Sequence, residues 1–350
     1  MLICICMLSK SSKYASIIFD EDVILYFTSF KAQDGFLLIY NDKKYLYTDM
    51  RYYNMAVKLA NAEVKLIETD TVFTISEFVK SNNVETLGLI YSLTSTDIFV
   101  KLNSLGVKIV DIELDIDKLR FVKSNDEISL IKTAHSIAEK SFNETLKIIK
   151  TGVTEKEIAS YLEYRFKANG ADGASFETIV AFNENSAIPH YQTGDEKLKK
   201  NSVILIDFGC KYKGYCSDTT RTFIFGDYTS EFKNVYDSVL TAHNLAFDNI
   251  TNNLSCVEAD AISRNYLKTC GLDSYFTHSL GHGVGVKIHE APKLSKNSNS
   301  VLVNGNCFSI EPGVYLSGKF GVRIEDTVYL ENGKVKSFNK ISKELFTVKP

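Results

Sequence analysis

The chain has 350 residues, of which 45% are hydrophobic and 24% charged, and its formal net charge is −3 at pH 7. This length is enough for two domains, and the charge balance without a basic cluster argues against nucleic-acid binding. The seven scattered cysteines include no CxxC pair, which favours reduced thiols in the cytoplasm. Residues 1–8 are apolar but too short to span a membrane and lack the basic start of a signal peptide, so we interpret them as a first core strand.

Residues 1–122 are predicted to form a separate α/β domain. Strand-like runs alternate with segments of helical composition, which favours a sheet covered by helices. No cluster of histidines, cysteines and acids is found in this half, so we assign it no chemistry. The predicted strands are 36–40, 45–49, 64–67, 86–90 and 107–112, and the predicted helices are 50–60, 72–80 and 96–105.

Residues 123–350 are predicted to form a second domain, in which three helices begin at capping boxes. In such a box a Ser or Thr and a Glu three residues later satisfy each other's free backbone N–H groups. The boxes pair Ser124 with Glu127, Thr154 with Glu157, and Ser255 with Glu258. A fourth helix is predicted over residues 231–250.

A predicted hairpin between the second and fourth of these helices carries two aspartates. Two strand-like segments flank a polar loop at residues 211–214. Folding about the midpoint between residues 212 and 213 places Asp207 opposite Asp218. Opposed Cβ atoms lie roughly 4.5–5.5 Å apart, and like charges there repel. A metal cation between them would offset the repulsion, although two solvated aspartates near a turn explain this hairpin alone equally well.

A second predicted hairpin, folded about Gly318, places Glu311 opposite Glu325. Between the hairpins, HSLGHGVGVKIHEAP (residues 278–292) contains three of the six histidines. Its glycines suit a tight loop that aims the imidazole of His282 inward. A phosphate-binding loop would instead need a following helix with a Lys, Ser or Thr. Two acidic hairpins and a histidine-rich glycine loop therefore indicate a metal site.

These motifs resemble the active-site segments of the pita-bread metallopeptidases, specifically the Xaa-Pro aminopeptidase and prolidase branch, over residues 125–330. KKYLYTDMRYYNMA (residues 43–56) is similar to part of the creatinase-type N-terminal domain of that branch. The resemblance implies a creatinase-like α/β domain over 1–122 and a pita-bread domain over 123–350. The latter is an α+β fold with two similar halves about a pseudo-twofold axis. A cytoplasmic homodimer is also expected.

The resemblance implies five metal ligands in the second domain. Four carboxylates and one imidazole suit a pair of divalent ions, with manganese expected and cobalt, zinc or iron as alternatives. Two dications nearly cancel four negative charges, which keeps buried acids ionised. They would bridge a hydroxide and polarise the scissile carbonyl, with Glu311 as general acid and base. The implied ligands are Asp207, Asp218, His282, Glu311 and Glu325.

The resemblance also implies residues that act on the substrate. His190 and His289 would donate hydrogen bonds to the substrate carbonyl and to the tetrahedral intermediate. Tyr191, His278 and Arg323 would shape the substrate pocket. Two alternatives stay open, since His278 also suits a structural role behind the ligands. Arg323 also suits a salt bridge to the ligand cluster instead of a contact with a substrate carboxylate.

The predicted activity is hydrolysis of the bond between an N-terminal residue and proline. Methionine aminopeptidase is an alternative, but that branch usually lacks a creatinase-like domain and the strand at 321–327. Metal-free creatine hydrolysis would require replaced ligands, and a non-catalytic peptide-binding relative is disfavoured because ligands and histidines are intact. The sequence leaves open whether longer peptides or dipeptides are cleaved, which metal is native, and which N-terminal residue is preferred.

Overall fold

The structure is a computed structural model that describes residues 5–350. It divides into two compact units, Met1–Arg120 and Phe121–Pro350. No helix in the described part of the chain is both long and apolar enough to cross a membrane.

The N-terminal unit is a six-stranded mixed sheet with helices. Its strands are β1 (Tyr14–Ile18), β2 (Phe36–Tyr40), β3 (Lys43–Thr48), β4 (Glu63–Leu66), β5 (Thr86–Leu89) and β6 (Lys108–Asp111). Its helices are α1 (Glu21–Thr28), α2 (Met50–Leu59), α3 (Thr71–Ser81), α4 (Thr96–Asn103) and α5 (Glu113–Phe121). The strand order is β4-β3-β2-β1-β5-β6. The predicted strands and helices are confirmed to within two residues.

The prediction of a first strand at residues 1–8 is wrong for its described part. Ile5–Leu8 form a 3₁₀ turn, and residues 1–4 lie outside the described residues. The sheet instead begins with β1, all five residues of which are buried between β2 and β5. Helix α1 was not predicted, because its continuous apolar run has no helical period.

The C-terminal unit contains four long helices. They are α6 (Asn125–Thr145), α7 (Glu155–Ala168), α8 (Ser230–Asn249) and α9 (Cys256–Thr269). All three predicted capping boxes are confirmed, with both reciprocal hydrogen bonds present at each. The predicted fourth helix corresponds to α8. Short 3₁₀ turns of this unit lie at Leu146–Ile148, Asn183–Ala187 and Asp273–Tyr275. The N-terminal unit has a further one at Tyr91–Leu93.

The strands of this unit form two principal sheets and smaller ribbons. In chain order they are β7 (Gly173–Ala174), β8 (Ile179–Phe182), β9 (Ser202–Phe208), β10 (Cys210–Tyr212), β11 (Tyr215–Cys216), β12 (Thr219–Phe225), β13 (Gly281–Gly283), β14 (Glu290–Leu294), β15 (Cys307–Ile310), β16 (Gly313–Leu316), β17 (Phe320–Arg323), β18 (Asp326–Glu331), β19 (Lys334–Ser337) and β20 (Thr347–Val348). The sheets have the orders β20-β12-β9-β8 and β14-β13-β15-β18-β19.

Each half of the unit packs a helix pair against a sheet, as the resemblance implies. In one half, α6 and α7 cover β8, β9 and β12, and Phe142 stacks on Phe208 with ring centroids 4.9 Å apart. In the other half, α8 and α9 share a core with β15 and β18. The site strands are therefore each backed by a closely packed apolar layer.

The predicted register of the first acidic hairpin is wrong by two residues. Asp207 pairs with Thr220, not with Asp218. The turn is centred between Lys213 and Gly214, which both have positive φ, at 48° and 80°. Two such residues suit the type I′ turn that matches strand twist. Asp218 remains diagonal to Asp207 on the same face, because a shift of two residues preserves the side-chain alternation.

The predicted centre of the second hairpin is confirmed at Gly318, where φ is 72°. The pairing of Gly313 with Arg323 and that of Ile310 with Asp326 share this centre. Glu311 and Glu325 fall opposite each other in the interruption between these two ladders.

Candidate metal centre

All ten predicted site residues line one cavity of about 880 Å³ in the C-terminal unit. Both acidic hairpins and the glycine loop contribute to its wall, and the segment after β8 contributes two residues. The ten residues are His190, Tyr191, Asp207, Asp218, His278, His282, His289, Glu311, Arg323 and Glu325.

Three of the five proposed ligands come closest together. Asp218, His282 and Glu325 each offer one ligand atom, and these atoms lie within 4.8 Å of one another. His282 Nε2 is 3.5 Å from Asp218 Oδ2 and 3.3 Å from Glu311 Oε1. The group combines one imidazole with carboxylate oxygens, a donor set that divalent transition ions accept.

The ring of His282 is oriented by its own loop. Its Nδ1–H donates to the Gly283 carbonyl at 3.1 Å, which leaves Nε2 as the lone-pair nitrogen facing the acids. The His282 backbone N–H donates to Ser309 Oγ, and that hydroxyl donates to Glu311 Oε1 at 2.9 Å. A Cβ at Gly281 would lie 1.9 Å from the Ser309 carbonyl oxygen, so only glycine permits this approach.

Two buried carboxylate oxygens in the cluster lack any hydrogen-bond partner in the described part of the chain. They are Asp207 Oδ1 and Glu325 Oε1. The other oxygen of each group does accept a hydrogen bond. Asp207 Oδ2 accepts from Arg323 Nη2 at 2.7 Å, and Glu325 Oε2 accepts from Thr220 Oγ1 at 2.6 Å. A buried anionic oxygen without a donor is costly. A divalent cation would satisfy both oxygens, so the residues fit a metal ion.

The electrostatics of the cluster also favour a bound metal ion. Burial, together with repulsion from neighbouring carboxylates, raises the pKa of Asp218 and of Glu325 well above the usual range. Burial also raises the pKa of Glu311. A bound dication would reverse these shifts and keep the acids ionised at neutral pH.

The contacts of Arg323 favour the salt-bridge alternative. Its Nη2 donates to Asp207, and both side chains are largely buried. Its Nε donates to Thr220 Oγ1, and its Nη1 donates to the Tyr315 hydroxyl at 2.9 Å. The guanidinium therefore holds a proposed ligand instead of presenting a free fork to a substrate carboxylate.

The contacts of His278 likewise favour a structural role. Its Nδ1–H donates to the Ser279 carbonyl, and its Nε2 accepts from the Tyr315 hydroxyl, both at 2.8 Å. Burial lowers the pKa of His278, which favours the neutral ring. Since Tyr315 also accepts from Arg323, the three side chains form one chain of hydrogen bonds behind the acids.

His190 and His289 present their rings to the cavity from different segments. Both are exposed, His190 in the segment after β8 and His289 just before β14. The His289 ring centroid lies 4.2 Å from that of His282 at an interplanar angle of 75°. Burial, with His282 and His190 nearby, lowers the pKa of His289 to about 4. A neutral imidazole has one N–H available for donation.

Sequence reasoning missed the residues that support the proposed ligands. Thr220, Ser309 and Tyr315 each bond to a predicted site residue. Thr220 and Ser309 left a signal, because each lies two residues from a predicted ligand, Asp218 and Glu311 respectively, and hence on the same strand face. It also missed Lys293, an exposed lysine that lines the cavity and pairs with His282 in the sheet.

The two-domain fold and the acidic site define a metallopeptidase. The sequence matches Metallopeptidase family M24 over residues 129–332 and the Creatinase/Prolidase N-terminal domain over residues 8–122. The chain belongs to family M24 and carries the creatinase-type domain that the resemblance implied. Membership of a metallopeptidase family implies divalent metal ions, and the fold of the C-terminal unit is the pita-bread fold.

Named relatives support this placement. The chain is 36% identical over 317 residues to the Xaa-Pro dipeptidase of Pyrococcus furiosus, covering 89% of this chain and 88% of that one. It superposes on the X-Pro aminopeptidase of Thermotoga maritima with a TM-score of 0.89 at 34% identity, over 95% and 97% of the chains. The Xaa-Pro dipeptidase of Bacillus anthracis gives a TM-score of 0.91 at 32% identity, over 95% and 94%.

We expect Asp218→Asn to weaken binding of divalent ions by more than about tenfold. Removing even a residue behind a metal ligand typically costs about 10–100-fold in affinity, and asparagine lacks the charge that the cluster contributes. Manganese titration of metal-free protein, followed by elemental analysis, measures the change. Asp237→Asn is the matched control, because Asp237 forms an exposed ion pair with Lys233. Equal metal binding by the two variants would contradict the assignment of Asp218.

Proposed function

We propose that the chain is a metal-dependent peptidase that hydrolyses the bond between an N-terminal residue and proline. The observation that carries the proposal is one cavity that gathers four carboxylates and the rings of His190, His282 and His289. The relatives named for dipeptidase and aminopeptidase activity on Xaa-Pro bonds support the same specificity. Manganese as the metal, a cytoplasmic location and a homodimer stay predictions.

The proposed metal ligands are the four acidic side chains of the two hairpins and the imidazole of the glycine loop, all of which line the cavity. Asp207, Asp218, His282, Glu311 and Glu325 would hold two divalent ions. When bound, such ions supply Lewis acidity to the scissile carbonyl and to the attacking water. Glu311 is the proposed proton acceptor, since Ser309 orients its Oε1 by donating to it. The proton then passes from this carboxyl group to the leaving nitrogen.

His190 and His289 are the proposed hydrogen-bond donors to the substrate carbonyl. Donors placed where negative charge develops are typically worth about 2.7–4 kcal/mol each. The bond to proline is a tertiary amide without an N–H. A site that holds the carbonyl, and needs no donor from the leaving nitrogen, therefore accepts proline. Phe176, Ile179 and Ile288 line the same cavity and supply apolar surface for its ring.

Lys293 favours dipeptides as the preferred substrates. The guanidinium of Arg323 is engaged by Asp207 and Tyr315. Lys293, by contrast, is an exposed cation on the cavity wall. In an Xaa-Pro dipeptide the free carboxylate directly follows the proline ring, within reach of a flexible ammonium group. We therefore assign Lys293 to that carboxylate, which longer peptides lack at this position.

Metal removal should abolish activity. Dialysis against a chelator is expected to reduce Xaa-Pro hydrolysis to background, and Mn²⁺ or Co²⁺ should restore it, because the donor set is rich in oxygen. Potassium chloride at matched ionic strength serves as a control for ionic effects. Full activity in protein shown by elemental analysis to be metal-free would refute the mechanism.

The substrate preference should follow proline. We expect the highest kcat/KM for Xaa-Pro and a lower but substantial value for Xaa-Pro-Yaa, which has no carboxylate at the position assigned to Lys293. Values should be low for Xaa-Ala and for N-acetylated Xaa-Pro, whose blocked amine cannot approach the acidic cluster. All four are compared in one buffer with one metal. Equal rates on Xaa-Pro and Xaa-Ala, or a preference for methionine before small residues, would instead indicate a methionine aminopeptidase.

Lys293→Ala should selectively impair dipeptides. Loss of a hydrogen bond to a charged group costs about 1.5–3 kcal/mol, so kcat/KM for Xaa-Pro should fall about 10–100-fold. The value for Xaa-Pro amide, which has no carboxylate, should stay unchanged. Lys296→Ala, a change at an exposed lysine three residues further on, is the matched control. Equal losses on the acid and the amide would exclude a role in binding the carboxylate.

A further inference from the structure

The carboxylate of Glu155, the first residue of α7, is fully buried and accepts four hydrogen bonds. Its Oε1 accepts from the Phe182 backbone N–H at 2.7 Å and from Asn185 Nδ2 at 2.9 Å. Its Oε2 accepts from the Tyr191 hydroxyl at 2.8 Å and from the Gly194 backbone N–H at 3.2 Å. These bonds and the positive end of the α7 dipole compensate the buried charge.

All four donors lie in one segment, residues 182–194, which we call the His190 loop. Phe182 and Gly194 are its two ends, and Asn185 and Tyr191 lie between them. After Phe182, which ends β8, the loop has no regular structure apart from the 3₁₀ turn at Asn183–Ala187. A single carboxylate therefore closes the loop by bonding to both ends and to its middle.

The loop is held from the opposite side by the second acidic hairpin. Arg323 Nη1 donates to the Pro189 carbonyl at 3.3 Å, and the Gly321 backbone N–H donates to Ser186 Oγ at 2.8 Å. The loop thus spans the distance between α7 and the metal-binding hairpin. The position of His190, between Pro189 and Tyr191, depends on both attachments.

Tyr191 transmits the position of Glu155 to His190. Its hydroxyl donates to Glu155 and accepts from Asn185 Nδ2 at 2.9 Å. With both ends of the side chain fixed, the backbone next to His190 has little freedom. The hydroxyl is thereby occupied within the protein, although Tyr191 also lines the cavity.

We propose that Glu155 is a positioning residue that holds His190 at the substrate carbonyl through the His190 loop. The proposal rests on the proposed function of His190 as a hydrogen-bond donor. Displacement of a catalytic group by about 1 Å can cost on the order of 10²-fold in rate. Glu155 is not among the residues that line the cavity, so we expect its effect on turnover to arise through the loop.

Glu155→Gln tests the proposal without changing side-chain shape. An amide offers one oxygen, so its NH₂ group must face the backbone N–H of either Phe182 or Gly194. One end of the loop then loses its acceptor and meets a second donor. Glu157→Gln is the matched control, because Glu157 lies in the same first turn and caps α7 through Thr154. Both changes remove one negative charge from the start of the helix.

Loop mobility provides a measurement that does not require turnover. The chain contains no tryptophan, and Ile188 in the loop is 51% exposed. A single tryptophan introduced by Ile188→Trp therefore reports on the loop alone. Time-resolved fluorescence anisotropy and kcat on Xaa-Pro are measured for Ile188→Trp alone and combined with each glutamine variant. Metal content and the thermal midpoint are measured alongside.

With Glu155→Gln we expect a larger fast anisotropy component and a kcat about 10²-fold lower, with unchanged metal content. Glu157→Gln should match the Ile188→Trp parent in both respects. Wild-type anisotropy and kcat in Glu155→Gln would overturn the proposal, as would reduced kcat with an unchanged loop.

If Glu155→Gln does not fold, Tyr191→Phe is used, which removes only the hydroxyl. It should shift anisotropy and kcat in the same direction, and no shift in either would overturn the proposal. A wild type that cleaves no Xaa-Pro peptide would instead refute the proposed function, while the anisotropy still tests the loop.

Discussion

The mutual repulsion of buried carboxylates is the constraint on which the C-terminal unit depends. An unpaired buried charge can cost about 3–5 kcal/mol, and this cavity gathers four proposed acidic ligands. The protein offsets part of the cost itself. Arg323 donates to Asp207, and Thr220 donates to Glu325. The two oxygens that remain without partners in the described part of the chain belong to residues that line the cavity, where a cation would complete their compensation.

A second layer of hydrogen bonds fixes the distance between the two acidic hairpins. Arg221 is fully buried and donates to the backbone carbonyls of Thr220 and Glu325. The Glu325 backbone N–H donates to the Thr220 carbonyl at 3.1 Å, and Thr222 exchanges hydrogen bonds with the backbone of Arg323. The carboxylates are therefore positioned by strands locked to each other, which permits a rigid metal site in spite of their repulsion.

The sequence predicted the composition of the site better than its geometry. Gly318 marked the centre of the second hairpin correctly because glycine is the expected residue at positive φ. The first hairpin was mispaired because Lys213 adopts positive φ, which its residue type does not predict. The error of two residues left Asp207 and Asp218 on one face. A shift of one residue would have placed the two aspartates on opposite faces. The prediction that both side chains contribute to one site therefore does not depend on the exact register.

The contacts that hold the His190 loop were beyond prediction because the bonded residues are distant in the chain. Glu155 and Tyr191 are 36 residues apart, and Arg323 and Pro189 are 134 apart. Such contacts leave no local pattern, whereas each ligand pair lies within one hairpin. We therefore propose a separation of functions within one cavity. The two acidic hairpins and the contacts between them position the proposed metal ligands, while the His190 loop and Lys293 carry the proposed substrate contacts. We expect substitutions in the loop and at Lys293 to change which peptides are cleaved more than they change metal binding.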